Sequence, residues 1–254
     1  MLKDAMNMHD MLLGSLLSAG ATGLGALPVL FLKQISHTFR DILLALAAGI
    51  MTAAVTFSLI PESLTLGSFS QLGIGMLIGV MLLTLLEQRI PHLHVEQGSP
   101  KQLVIDHKAL LIIMAITFHN IPEGLSVGVS YAADDGALGE LVAMSIAIQN
   151  APEGFIVALF LLQQQTPRGY ALLLATLTGA IEIIASIGGF LLTSVMEGLI
   201  PYGLAFAAGS MLFIIYKELI PESHGDGHEL QATYAFLIGL LVMLFLTNVY
   251  GVHI

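Results

Sequence analysis

Two hexapeptides, thirty residues apart, carry the groups best able to do chemistry. They are His119-Asn120-Ile121-Pro122-Glu123-Gly124 and Gln149-Asn150-Ala151-Pro152-Glu153-Gly154. Each lies inside a long apolar run. On a helix, residues four apart share a face. His119 then stands over Glu123, and Gln149 over Glu153, with Asn120 and Asn150 flanking the same glutamates from three residues earlier. Two such helices facing each other would assemble an imidazole, two carboxylates and three amides. That is a nitrogen and oxygen ligand set for a divalent cation, without sulfur.

A third acid, Glu182, closes Thr178-Gly179-Ala180-Ile181-Glu182 and is equally deep in apolar sequence. A carboxylate at a bilayer centre costs roughly 2.5–3.5 kcal/mol on insertion scales, taking the Asp value as a guide. Three such costs exceed what packing alone calls for. The structural alternative is a protonated carboxyl that bonds one helix to another. For Glu123 and Glu153 the convergence of His119, Asn120, Gln149 and Asn150 weighs against it; for Glu182 it is a stronger rival. A lone buried histidine is more often a satisfied core residue than a ligand, but Glu123 one turn after His119 reverses that preference.

Pro122 and Pro152 have no N–H and crowd the carbonyl four residues earlier. They are expected to break their helices and free the carbonyls of Phe118 and Ile148. Exposed backbone at membrane depth is tolerated only where it lines a cavity or meets a polar partner, and interrupted helices at the midplane build ion sites in many transporters.

The elements that must position these groups follow from composition. The 254 residues are 56% hydrophobic and only 10% charged, against about 25% charged in soluble domains; mean hydropathy is +0.88. A large soluble domain is excluded, and an all-α, polytopic membrane protein is expected. The chain has no cysteine, which excludes disulfides and thiolate metal sites. Its twelve methionines read first as packing residues.

Hydropathy gives eight transmembrane helices of bilayer-spanning length, forming one domain over residues 1–254. Their expected bounds are 8–31, 41–63, 70–89, 108–131, 138–162, 168–193, 200–221 and 232–252. Lys33 and Arg40, then Arg89, Lys101 and Lys108, then Arg168 fall in alternate loops. The excess of basic residues in cytoplasmic loops therefore puts those loops in the cytoplasm and both termini outside. Leu59-Ile60-Pro61-Glu62-Ser63 recurs as Leu219-Ile220-Pro221-Glu222-Ser223, in spans that run in opposite directions. With the fourth and fifth spans also antiparallel, this predicts an inverted 3+2+3 repeat bundle. Gly75-x-x-x-Gly79 and Gly188-Gly189 allow close helix approach. Packing within the bundle is the favoured reading, and a homodimer seam the other.

The paired Asn-x-Pro-Glu-Gly motifs resemble the fourth and fifth spans of ZIP (Zrt/Irt-like) divalent-metal transporters, of the bacterial ZupT/GufA-like branch, over nearly the whole chain. The resemblance implies a binuclear site. One metal would take His119, Glu123, Gln149 and Glu153; the other would take Asn120, Glu123, Asn150, Glu153 and Glu182. Gln149 replaces a histidine common in relatives, which weakens a zinc preference and leaves iron, manganese, cobalt and cadmium as candidates. Asn150 replaces an aspartate of some relatives and lowers the charge beside the second metal. The resemblance also implies that acids of the seventh span, here Glu218, serve an inner exit, with simple pairing to Lys217 as the rival reading.

The function expected is transport of divalent transition-metal cations into the cytoplasm by alternating access, in a cytoplasmic (inner) membrane, with zinc or a similar cation as substrate and no cofactor. No nucleotide-binding motif is present, so ATP is not the driver, and no nucleic acid is involved. The alternatives are a metal-selective channel, or a membrane-embedded metallohydrolase. The latter lacks a His-Glu-x-x-His motif or a framed nucleophile, so an enzyme is not expected. Loops at about 90–107 and 222–231 hold His92, His94, His224 and His228. These read as solvated loop residues before they read as metal collectors.

Overall fold

The computed structural model describes residues 2–31, 36–89, 107–133, 136–224 and 227–250. Lys33, His92, His94 and Lys101 lie outside the described residues, as do Gly225 and Asp226 of the second loop.

Eight long helices account for nearly all the described residues. They are α1 (Leu2–Ala26), α2 (His37–Leu66), α3 (Phe69–Arg89), α4 (His107–Ala132), α5 (Gly136–Gln163), α6 (Arg168–Val195), α7 (Glu197–Ser223) and α8 (Glu229–Val249). All but α4 have, among the described residues, a stretch long and apolar enough to cross a membrane; α4 itself is 26 residues long. The chain is an all-α membrane protein.

The helices divide into two bodies. In the first, α1 packs on α5 and α6, and α4 packs on α6 and α5; in the second, α2 packs on α8 and α7, and α3 on α7. The bodies meet where α2 crosses α5 and where α4 crosses α7. That seam is filled by apolar side chains such as Met51, Val127, Ile146, Leu204 and Met211.

This pattern repeats under an inverted two-fold. Exchanging α1, α2 and α3 with α6, α7 and α8, and α4 with α5, turns every main packing pair into another that is present: α1·α5 into α6·α4, α2·α8 into α7·α3, and α2·α5 into α7·α4. Matching residues of the outer halves are 160 apart in sequence, and those of the central pair thirty apart. Ala45-x-Ala47-Ala48-Gly49-x-Met51 matches Ala205-x-Ala207-Ala208-Gly209-x-Met211, and Leu77-Ile78-Gly79 matches Leu237-Ile238-Gly239.

The packing shows why glycine is retained at such positions. Apolar lipid gives no hydrophobic drive between helices, so association depends on close van der Waals approach. A Cβ on Gly49 would lie 2.0 Å from the carbonyl oxygen of Phe236, and one on Gly209 would lie 2.4 Å from that of Met76. Phe236 and Met76 are themselves 160 apart. Gly75 and Gly79 pack against α7 in the same way, so this pair serves the bundle. Gly189 meets the Leu125 carbonyl, whereas Gly188 faces open space.

The expectation of broken helices is corrected. α4 and α5 run without interruption through Pro122 and Pro152. One missing N–H leaves the flanking backbone bonds intact, and α6 and α1 pin both sides of each proline. The irregular backbone is elsewhere: α2 and α7 each contain one π-helical turn, Val55–Leu59 and Ile215–Leu219, immediately before Ile60-Pro61 and Ile220-Pro221. Such turns often mark functional positions.

Candidate metal centre

α4 and α5 cross with their motifs side by side. His119 Nε2 lies 3.9 Å from Glu123 Oε1 on its own helix and 3.7 Å from Glu153 Oε2 across the gap. The ligand atoms of His119, Glu123 and Glu153 all fall within 4.8 Å of one another. Gln149 Nε2 donates to Glu123 Oε1 at 2.6 Å. All four side chains are buried. The i, i+4 spacing read from the sequence brings His119 beside Glu123 on α4, whereas Gln149 of α5 bonds across the helix crossing to Glu123.

The two asparagines point the other way. Asn120 Nδ2 donates to the Thr178 carbonyl of α6 at 2.8 Å, and Asn150 Nδ2 to the Ser18 carbonyl of α1 at 3.1 Å. Ser18 and Thr178 are symmetry partners, so each motif asparagine clips its helix to the matching neighbour. Asn150 Nδ2 also donates to Glu182 Oε1 at 2.7 Å. Glu182 is fully buried and joins the cluster through that amide.

Glycine makes these approaches possible. A Cβ on Gly124 would sit 2.4 Å from the Glu182 carbonyl oxygen, and one on Gly154 would sit 2.1 Å from that of Thr22. Thr22 and Glu182 are again 160 apart. The symmetry that builds the scaffold is therefore broken in the ligands. Glutamate stands opposite threonine, His119 opposite Gln149, and Glu218 opposite Ser58.

The free valences are those a cation would use. His119 Nδ1 and Nε2, Glu123 Oε2, Gln149 Oε1, Asn150 Oδ1, Glu153 Oε1 and Glu182 Oε2 are all buried without a hydrogen-bond partner. Orphaned polar atoms are rare in folded proteins and cost about 1–3 kcal/mol each, more when charged. Here seven fall on six residues, drawn from the two motifs and Glu182, and three of those residues, His119, Glu123 and Glu153, bring their ligand atoms within 4.8 Å of one another.

Glu218, which the motif spacing does not include, comes close. Its Oε2 lies 3.8 Å from His119 Nδ1. It stands on the α7 π-turn at the start of a cavity of about 450 Å³ lined by His119, Glu153, Phe160, Lys217, Glu218 and Glu222, among others. The cavity runs from the cluster to the end of the molecule that bears Arg40 and Glu222. Lys217 stacks its ammonium 5.1 Å from the Phe213 ring. The 420 Å³ cavity at the opposite end, lined by residues such as Gln71, Ser194 and Glu197, includes none of the cluster. The two described loop histidines hold structural contacts. His224 Nδ1 lies 3.0 Å from Ser223 Oγ and from the Ile220 carbonyl, and His228 Nδ1 lies 3.3 Å from the buried Asp41.

In this all-α membrane protein the buried acid–imidazole cluster between α4 and α5, open toward one end, is a donor set that could hold a metal ion. A family model described as "ZIP Zinc transporter" matches residues 88–247. The zinc transporter GufA of Myxococcus xanthus is 39% identical over 245 residues, covering 92% of this chain and 96% of its own. The zinc transporter ZIPB of Bordetella bronchiseptica is 36% identical over 257 residues, covering 94% and 81%. The zinc transporter ZupT of Streptococcus mutans is 29% identical over 242 residues, covering 88% and 90%. The chain belongs to the ZIP family. Its members are transporters rather than enzymes, so a divalent metal ion is the substrate and not a resident cofactor.

Proposed function

We propose that the chain carries divalent transition-metal cations into the cytoplasm by alternating access, with zinc as the leading substrate and iron, manganese, cobalt and cadmium as further candidates. The observation that carries this is the run of the 450 Å³ cavity from His119 and Glu153 past Glu218 to exposed Glu222. A cation held by the cluster has a continuous, acid-lined path in one direction. In the other direction it meets the buried side chains of Gln149, Ser126, Val127 and Ser130.

A binuclear arrangement fits the donors. The first position takes His119, Glu123, Gln149 and Glu153. The second takes Asn120, Glu123, Asn150, Glu153 and Glu182, the two motif glutamates bridging. The unpartnered oxygens of Asn150 and Glu182 support the second position. The Arg40 and Arg168 end would face the cytoplasm of a bacterial inner membrane, with both termini outside. Lipid or a second copy of the chain would cover the apolar outer faces of α3 and α8, where Leu77, Met81, Leu241 and Phe245 are exposed.

Uptake of radiolabelled zinc by proteoliposomes containing the purified chain tests the assignment. His119→Ala and Glu123→Ala are each expected to abolish gradient-driven uptake while leaving helix content unchanged. Full uptake by both variants would overturn the site.

A further inference from the structure

The inverted two-fold converts the open cavity into a statement about a path that is closed in this structure. His119, Glu153, Phe160, Glu218 and Glu222 line the open side. Their symmetry partners are Gln149, Glu123, Ser130, Ser58 and Glu62, which lead from the same centre to the opposite end of the molecule. Of these, Gln149, Glu123, Ser130 and Ser58 are buried, and Glu62 at the far end is partly exposed.

Two serines in that buried set are chemically out of place. The Ser58 and Ser130 hydroxyls have no hydrogen-bond partner. Hydroxyls inside membrane helices ordinarily bond back to the carbonyl one turn earlier. In this chain Thr52, Thr56, Thr84, Thr117, Thr193 and Thr247 all do so. Thr22, Thr166, Ser186 and Ser210 share the unpartnered state, so what sets Ser58 and Ser130 apart is their place on the symmetry-related route. Ser58 is moreover on the α2 π-turn, the counterpart of the α7 turn that carries Glu218. A polar group left unsatisfied in one state and set on a symmetry-related route is suited to water and hydrated ions in the other state.

We infer that Ser58 and Ser130 line the intake path for the hydrated divalent cation when the two bodies exchange their α2·α5 and α4·α7 crossings. Ser58 holds the place on this path that Glu218 holds on the release path. The inference rests on the alternating-access reading above. It adds a chemical asymmetry: hydroxyls, which bind a hydrated cation weakly and let it advance, on the intake side; a carboxylate, which competes with the cluster for the ion, on the release side.

The chain has no cysteine, so single Ser58→Cys, Ser130→Cys and Phe160→Cys variants report directly with a membrane-impermeant thiol reagent. Labelling is done on intact cells and on inside-out vesicles, with and without cadmium. Ser58→Cys and Ser130→Cys should label from the cell exterior, and cadmium should slow them several-fold. Phe160→Cys should label from the inside-out face. A Ser58→Cys or Ser130→Cys chain that takes up metal but stays unlabelled from outside, while Phe160→Cys labels from inside, overturns the intake path and leaves alternating access standing. Failure of Phe160→Cys to label from inside would instead overturn the reading of the open cavity as a release path, and the inference with it. Ser58→Ala and Ser130→Ala separate transport from structure: a raised KM for uptake with an unchanged thermal midpoint supports the path, and a lowered midpoint with unchanged KM overturns it.

Discussion

At His119 the two ring nitrogens face different acids: Nε2 looks toward Glu123 and Glu153, and Nδ1 toward Glu218. One imidazole therefore touches both the cluster and the start of the cavity. Opposite it, Gln149 offers a neutral amide that already donates to Glu123. Imidazole suits zinc, whereas carboxylate and carbonyl oxygens suit manganese. Gln149→His is expected to shift selectivity toward zinc, read as zinc against manganese competition in proteoliposome uptake; an unchanged ratio would separate residue 149 from metal choice. Glu182 reaches the cluster through the bond that it accepts from Asn150. Glu182→Gln should therefore weaken the second binding position and spare the first. Titration by calorimetry should lose the weaker metal-binding phase and keep the stronger one; loss of both would make Glu182 part of a single site.

At the level of elements, helix approach is governed by what a glycine leaves out. Gly49 lies away from the cluster, where α2 meets the Phe236 carbonyl of α8 at a distance that admits no Cβ. Gly49→Ala should lower the detergent-solubilised thermal midpoint, through overpacking of about 1–3 kcal/mol. Gly20→Ala, which meets open space, should leave the midpoint unchanged or slightly raised, since alanine is the better helix former by about 1 kcal/mol. Equal loss in both would mean that helix approach is not the reason for Gly49. The sequence anticipated that small residues pack the bundle, but not which ones: Gly79 meets a backbone carbonyl and Gly188 nothing. The difference lies in rotation about the helix axis, which a short spacing motif does not specify.

On the scale of the whole molecule, two four-helix bodies share a seam of two crossings, and the alternating-access cycle proposed above would alter that seam. Val129 on α4 and Gly203 on α7 lie across it, a Cβ on Gly203 falling 3.0 Å from Val129 Cγ2. Gly23 and Thr176 lie within one body, Cβ to Cβ at 3.4 Å. A disulfide needs Cβ atoms roughly 3.5–4.5 Å apart, so both pairs are close enough to bridge. Oxidation of the Val129→Cys, Gly203→Cys chain should block uptake, and reductant should restore it. Oxidation of the Gly23→Cys, Thr176→Cys chain should leave uptake intact. Uptake through an oxidised Val129–Gly203 pair would mean that the bodies do not separate there.

Much of this protein was legible before folding because membranes restrict the possibilities. A chain so apolar must be helical where it crosses lipid, since every backbone group has to be satisfied within its own segment. Helical period alone then pairs His119 with Glu123 and Gln149 with Glu153, and a buried acid marks function. The inverted repeat was visible in one pentapeptide, and its longer match, 160 residues apart, was there to be read. What the tertiary structure alone decided was direction. It kept α4 and α5 helical through their prolines, turned Asn120 and Asn150 toward α6 and α1, brought Glu218 beside His119, and opened a cavity on one of the two symmetry-related sides of the cluster. Those outcomes depend on how eight similar helices rotate and cross, and a hydropathy pattern fixes a helix's length and buried face without fixing its partner.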